Sequence, residues 1–87
     1  MFFTYILKSE KNNAFYIGSC QNLKIRINLH NKGLVKSTKR SKPWLLYYYE
    51  SYSTLKEARK REKQIKSWKK RQPIENLVLK KLVEDPR

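Results

Sequence analysis

The sequence predicts an α+β fold, a three-stranded and mainly antiparallel sheet flanked by helices in the order ββαβαα. Three observations carry that prediction. Two short apolar runs, one through Phe3-Thr4-Tyr5-Ile6-Leu7 and one ending in Tyr16-Ile17-Gly18, flank the polar stretch Lys8 to Ala14 in the pattern of a hairpin. Trp44-Leu45-Leu46-Tyr47-Tyr48-Tyr49 is an aromatic-rich run behind Pro43, the signature of a third strand. Thr54-Leu55-Lys56-Glu57 has the spacing of a capping box that opens a helix.

Taken in order, residues 2–7 and 15–19 should pair, with Asn12-Asn13 supplying the turn. Asn22 to Lys32 is ambiguous by pattern, because Leu23, Ile25, Ile27 and Leu29 alternate as in a strand yet also form two i,i+4 pairs. Asn22 suits a helix N-cap and Gly33 a stop, and the length between them favours a helix. Leu34 to Pro43 reads as a basic, hydroxyl-rich loop. The nearly continuous apolar character of the third strand predicts a central position, covered on both faces. The capped helix should reach Lys69 or Lys70. A last helix should start at Pro73 and turn Ile74, Leu77, Val78, Leu82 and Val83 inward, before a frayed Glu84-Asp85-Pro86-Arg87. No repeat, low-complexity tract or linker divides the chain, so residues 1–87 are expected to form a single domain.

Charge narrows the function. Twenty-one Lys and Arg against seven Asp and Glu give a formal net charge of +14 on 87 residues. Such a domain repels itself, and a polyanionic partner, nucleic acid first, accounts for the excess. The basic segments lack the clean apolar face of a membrane-surface helix, and no run approaches bilayer length. A single cysteine, Cys20, excludes an internal disulfide and a cysteine-rich zinc site. Without a recognisable signal peptide, the expected location is the cytoplasm.

Chemistry is suggested by a carboxylate out of place. The inward stripe of the capped helix runs Leu55, Ala58, position 62, Ile65, and position 62 is Glu62. An inward charge is costly unless it meets a cation, either as a salt bridge to Lys or Arg or as a metal ligand. One carboxylate with waters and substrate phosphate suits Mg²⁺, and no second acid stands nearby in sequence for a two-carboxylate, two-metal site. On a helix, Arg26 and His30 share one face about 6 Å apart; on a strand they would be about 13 Å apart. An arginine fork beside a histidine can meet phosphate oxygens where charge builds during cleavage. Around Glu62, Arg59, Lys63, Lys66 and Lys70 stand among nine cations in sixteen residues, and the loop adds Lys36, Lys39, Arg40 and Lys42. These should contact phosphates without reading bases.

Tyr5, Tyr16-Ile17-Gly18, Arg26, His30 and Glu62 together resemble the GIY-YIG endonuclease family, and specifically its small single-domain, UPF0213-like members. The second half of the motif is intact, whereas Phe3-Thr4-Tyr5 stands where Gly-Ile-Tyr is typical. The resemblance implies that Tyr5 and Tyr16 position or deprotonate the attacking water, that Arg26 and His30 stabilise the phosphate, and that Glu62 holds Mg²⁺ or Mn²⁺. It implies a metal-dependent endonuclease acting on DNA, including branched DNA, or on RNA, with low sequence specificity or with structure-directed cutting. A non-catalytic nucleic-acid-binding module on the same fold is the alternative. Several family members carry an asparagine after the glutamate; Asn76 is the nearest candidate.

Overall fold

Phe2–Ser9 forms β1, and Thr4 to Leu7 at its middle are all buried, so this strand is the centre of the sheet. The computed structural model describes residues 1–84; of the expected frayed end, residues 85–87 lie outside the described residues. β2 (Phe15–Cys20) pairs antiparallel with β1 on one side, and β3 (Trp44–Tyr52) pairs antiparallel on the other. The sheet order is therefore β2-β1-β3.

The expectation of a central third strand is corrected here. β3 is an edge strand, and Leu45 stays 54% exposed. Two features let it look buried in sequence. A register shift opposite Ile6/Leu7 interrupts strict alternation, and tyrosine presents an apolar ring with a polar tip that tolerates partial exposure.

The β1–β2 turn forms as its asparagines suggest. Asn13 takes a left-handed φ of 61°, and the Asn12 side chain accepts from the Ala14 amide. α1 (Leu23–Asn31) begins at Asn22, whose side chain accepts from the Ile25 amide, and the chain leaves it through Gly33 at φ +75°. Leu23 and Ile27 pack on the sheet, while Ile25 is exposed. A short 3₁₀ turn at Lys39–Ser41 interrupts the basic loop.

α2 (Leu55–Ser67) is capped by Thr54, which accepts from the Glu57 amide. The Glu57 carboxylate binds the Thr54 hydroxyl, so the reciprocal half of the box closes on the side chain. α2 ends earlier than expected, at Ser67, because Lys69 turns the chain with a φ of 56°. α3 (Arg71–Glu84) starts two residues before Pro73, which still falls in the first turn where no amide is required. Ile74, Leu77 and Val78 pack as expected, but Leu82 and Val83 are exposed. The last turn of α3 has passed beyond the cluster that its earlier turns cover.

Each face of the sheet has its own core. Tyr5, Leu7, Cys20 and Trp44 pack with α1, and Ile6 and Tyr48 pack with Ile65 and Ile74 from α2 and α3. β2 divides its side chains between the two, so its free edge is where they meet.

Candidate functional site

Strand alternation places Tyr5 and Tyr16 on the α1 face of the sheet. Gly18 stands directly across from Tyr5 and leaves room for it; a Cβ at Gly18 would lie 2.5 Å from the Tyr5 hydroxyl. Tyr5 is only 1% exposed, and its hydroxyl lies 3.1 Å from Nε2 of His30. His30, as buried as Tyr5, packs its ring 4.8 Å from that of Tyr16. Its other nitrogen, Nδ1, is 2.8 Å from Oγ1 of Thr38.

Thr38 is anchored twice. Its hydroxyl donates to the Val35 carbonyl, and its own carbonyl accepts from the Trp44 indole. With that hydroxyl proton committed, Oγ1 accepts from Nδ1–H, and Nε2 is left to accept the Tyr5 proton. Burial, and then the positive charge of Arg26, hold the His30 pKa below its ordinary value, so the ring is neutral at pH 7. Burial and the neighbouring Tyr16 push the Tyr5 phenol upward, against a smaller opposing effect of Arg26. Tyr16 itself is half-buried, and its hydroxyl makes no hydrogen bond to the described residues.

Arg26 is exposed one turn before His30, and its charge reaches Tyr5, Cys20 and His30. Glu62 approaches from the other face of the sheet. Its side chain is 20% exposed; Oε1 accepts from the Ser19 hydroxyl at 2.6 Å, and Oε2 meets the Lys66 ammonium at 2.6 Å. Its charge, too, is felt at Tyr5. Tyr5, Tyr16 and His30 are thus in direct contact, while Arg26 and Glu62 stand within electrostatic reach on either side of the β2 edge. Glu62 opens on a hollow of about 310 Å³ walled by Arg59, Lys63 and Lys66, and the tyrosines do not line it.

Ser19 and Thr38 escape a sequence reading. Ser19 carries no signal beyond its place after Gly18, and Thr38, as one hydroxyl of a basic loop, signals a contact to a nucleic-acid backbone rather than to His30. Several surface expectations also sharpen. Lys36, Lys39 and Arg40 line a hollow of about 730 Å³, and Lys42 projects beside Gly33. Lys70 borders a separate hollow near β2. Arg61 is unavailable for phosphate, because it is paired with Glu50 and lies over Trp68. Trp68 in turn packs against the core, and Asn76 accepts from Gln72 on the exposed side of α3.

The donor set fits one kind of metal ion. Among the described residues no three His, Cys, Asp or Glu side chains gather as ligands. A lone carboxylate such as Glu62 suits Mg²⁺ or Mn²⁺ that keeps most of its waters. Lys66, with a side chain 52% exposed, can swing from Oε2 at little cost.

No helix among the described residues is long and apolar enough to cross a membrane. Residues 1–75 match the GIY-YIG catalytic domain. A UPF0213 protein of Staphylococcus haemolyticus is 38% identical over 73 residues, spanning 83% of this chain and 88% of its own length. A UPF0213 protein of Clostridium perfringens is 35% identical over 86 residues, spanning 98% and 91%. No solved structure matches. With that domain matched over most of its length and relatives matched nearly end to end, the chain belongs to the GIY-YIG family of nucleases.

Proposed function

We propose that this chain is a divalent-metal-dependent endonuclease that hydrolyses DNA phosphodiester bonds, with low sequence specificity or guided by substrate structure. The observation that supports it most is the hydrogen-bonded chain Tyr5–His30–Thr38, with the Tyr16 ring packed on His30 and the charges of Arg26 and Glu62 both reaching Tyr5.

Burial separates the two tyrosines into different roles. Tyr5 spends its proton on His30 and is closed to solvent, so it acts as a support. Tyr16, half-exposed and with an uncommitted hydroxyl, orients the attacking water. Arg26 sits where it can meet the non-bridging oxygens as their charge grows. His30 presents neither nitrogen to solvent, so its part is to fix the two tyrosines rather than to touch the phosphate. Glu62 would hold the metal ion, which supplies charge stabilisation at the phosphate and leaving oxygen when bound. The water oxygen forms a bond to phosphorus and the bond to the leaving oxygen breaks. One water proton ends on the leaving oxygen, and the other stays with the new phosphomonoester.

Incubation with supercoiled plasmid and with branched DNA tests this reading. Cutting is expected with Mg²⁺ or Mn²⁺ and not with EDTA. Undiminished cutting in EDTA overturns the metal requirement, and DNA binding without cutting under every condition favours the binding-module alternative.

A further inference from the structure

Next to the Glu62 hollow lies a second one, of about 350 Å³, between β2 and the α2–α3 turn. Its floor is apolar, built from Phe15 and Ile17 of β2 with Ile65 and Ile74 beneath. Its rim is cationic: Lys66, Lys69, Lys70 and Arg71, with no acid in the lining. The left-handed Lys69 turns the chain at this point, so three consecutive cations follow one another around the opening. The Arg71 guanidinium lies 4.1 Å from the centre of the Phe15 ring, and Tyr47 stacks on that ring at 5.2 Å. Lys66 belongs to both hollows, and it is the residue that holds Oε2 of Glu62.

Cations alone would suit any phosphate backbone. An apolar floor is of no use to a regular duplex, whose bases are paired and stacked inside. An unpaired strand offers both partners at once, phosphates for the rim and a base face for the floor and for the flat guanidinium above it. The geometry points to a subsite for an unpaired nucleotide. Its phosphates meet Lys69 and Lys70, and its base stacks on Arg71 where Phe15 supports it. Because Lys66 joins the hollow to Glu62, the bound nucleotide lies beside the bond to be cut. The substrate class is then nucleic acid with a single-stranded segment next to the cut, such as a flap, gap or branch. Only the position of the cut rests on the nuclease reading.

Binding measured in EDTA tests the subsite apart from catalysis. A labelled oligothymidylate and a hairpin duplex of equal charge are titrated by fluorescence anisotropy, and a 2-aminopurine base within a single strand reports stacking. The single strand should bind at least several-fold more tightly, with quenched 2-aminopurine. Arg71→Lys keeps the charge and removes the flat face; it should weaken the single strand by about tenfold, abolish quenching and leave the duplex within about twofold. Lys70→Gln, on an exposed side chain, should weaken the single strand more than the duplex. Equal affinity for both ligands overturns the proposal, as does an Arg71→Lys variant that binds and quenches like the wild type. Tight single-strand binding by a chain that cuts nothing leaves the subsite standing and removes the nuclease reading. Cutting of duplex without preference for an unpaired flank does the reverse.

Discussion

Gly18 shows how one missing side chain can organise a site. Across from it Tyr5 lies flat enough that any Cβ would meet its phenol, and Tyr5 cannot retreat without losing His30. Gly18→Ala should therefore destabilise the fold by about 1–3 kcal/mol, the usual cost of overpacking a core, as read from urea unfolding. An unchanged midpoint would mean that the Tyr5 ring moves freely. Thr38 acts one step further out. Thr38→Val removes the acceptor that fixes the His30 tautomer and should lower the cleavage rate at saturating DNA about tenfold, less than the roughly hundredfold or more that losing an acid–base group outright costs, because His30 acts by positioning. Thr38→Ser should restore most of the rate, because it keeps the hydroxyl. A valine variant that cuts at the wild-type rate would show that the tautomer does not matter. Glu62 was legible in the sequence because a carboxylate interrupted an apolar helical stripe. The Thr38–His30 and Ser19–Glu62 contacts were not. Each joins segments whose approach depends on how a loop or strand edge folds back, and neither serine nor threonine carries a periodic signal.

At the level of elements, the site depends on two helices arriving at opposite faces of the β2 edge. α1 brings Arg26 and His30, and α2 brings Glu62. α2 is strongly charged along its exposed faces, and its inward stripe is short, so its cap matters. Thr54→Ala should cost about 1 kcal/mol of stability, measured by thermal or urea unfolding, while leaving the Tyr5–His30 contact in place. A loss well under half of that would mean the Thr54 cap contributes little. The starts of α1 and α2 were readable because capping chemistry is local: Asn22 and Thr54 both accept the amide three residues on. The position of β3 was not readable, since its apolar run fits an edge as well as a centre when half of it is tyrosine. The exposed end of α3 has the same origin, because periodicity continues past the point where the core beneath it stops.

Across the whole molecule, a +14 charge surrounds Glu62, a partly buried carboxylate whose ion partner, Lys66, is itself exposed. That contrast separates binding from chemistry. The cations on the loop, on α2 and at the α2–α3 turn hold a polyanion wherever it lies, whereas Glu62 is the group that would concentrate a divalent ion. The order ββαβαα was visible in the sequence as a whole because hairpin, caps and aromatic strand agreed with one another. The wrapping of the site around β2 emerged only once the sheet order placed that strand at an edge. The most direct measurement is cleavage by Glu62→Gln, which keeps an acceptor for Ser19 and removes the charge. The account predicts that cutting in Mg²⁺ falls at least about a hundredfold, the scale of losing a principal electrostatic group, while DNA binding changes less than about twofold. Cleavage near the wild-type rate would contradict it.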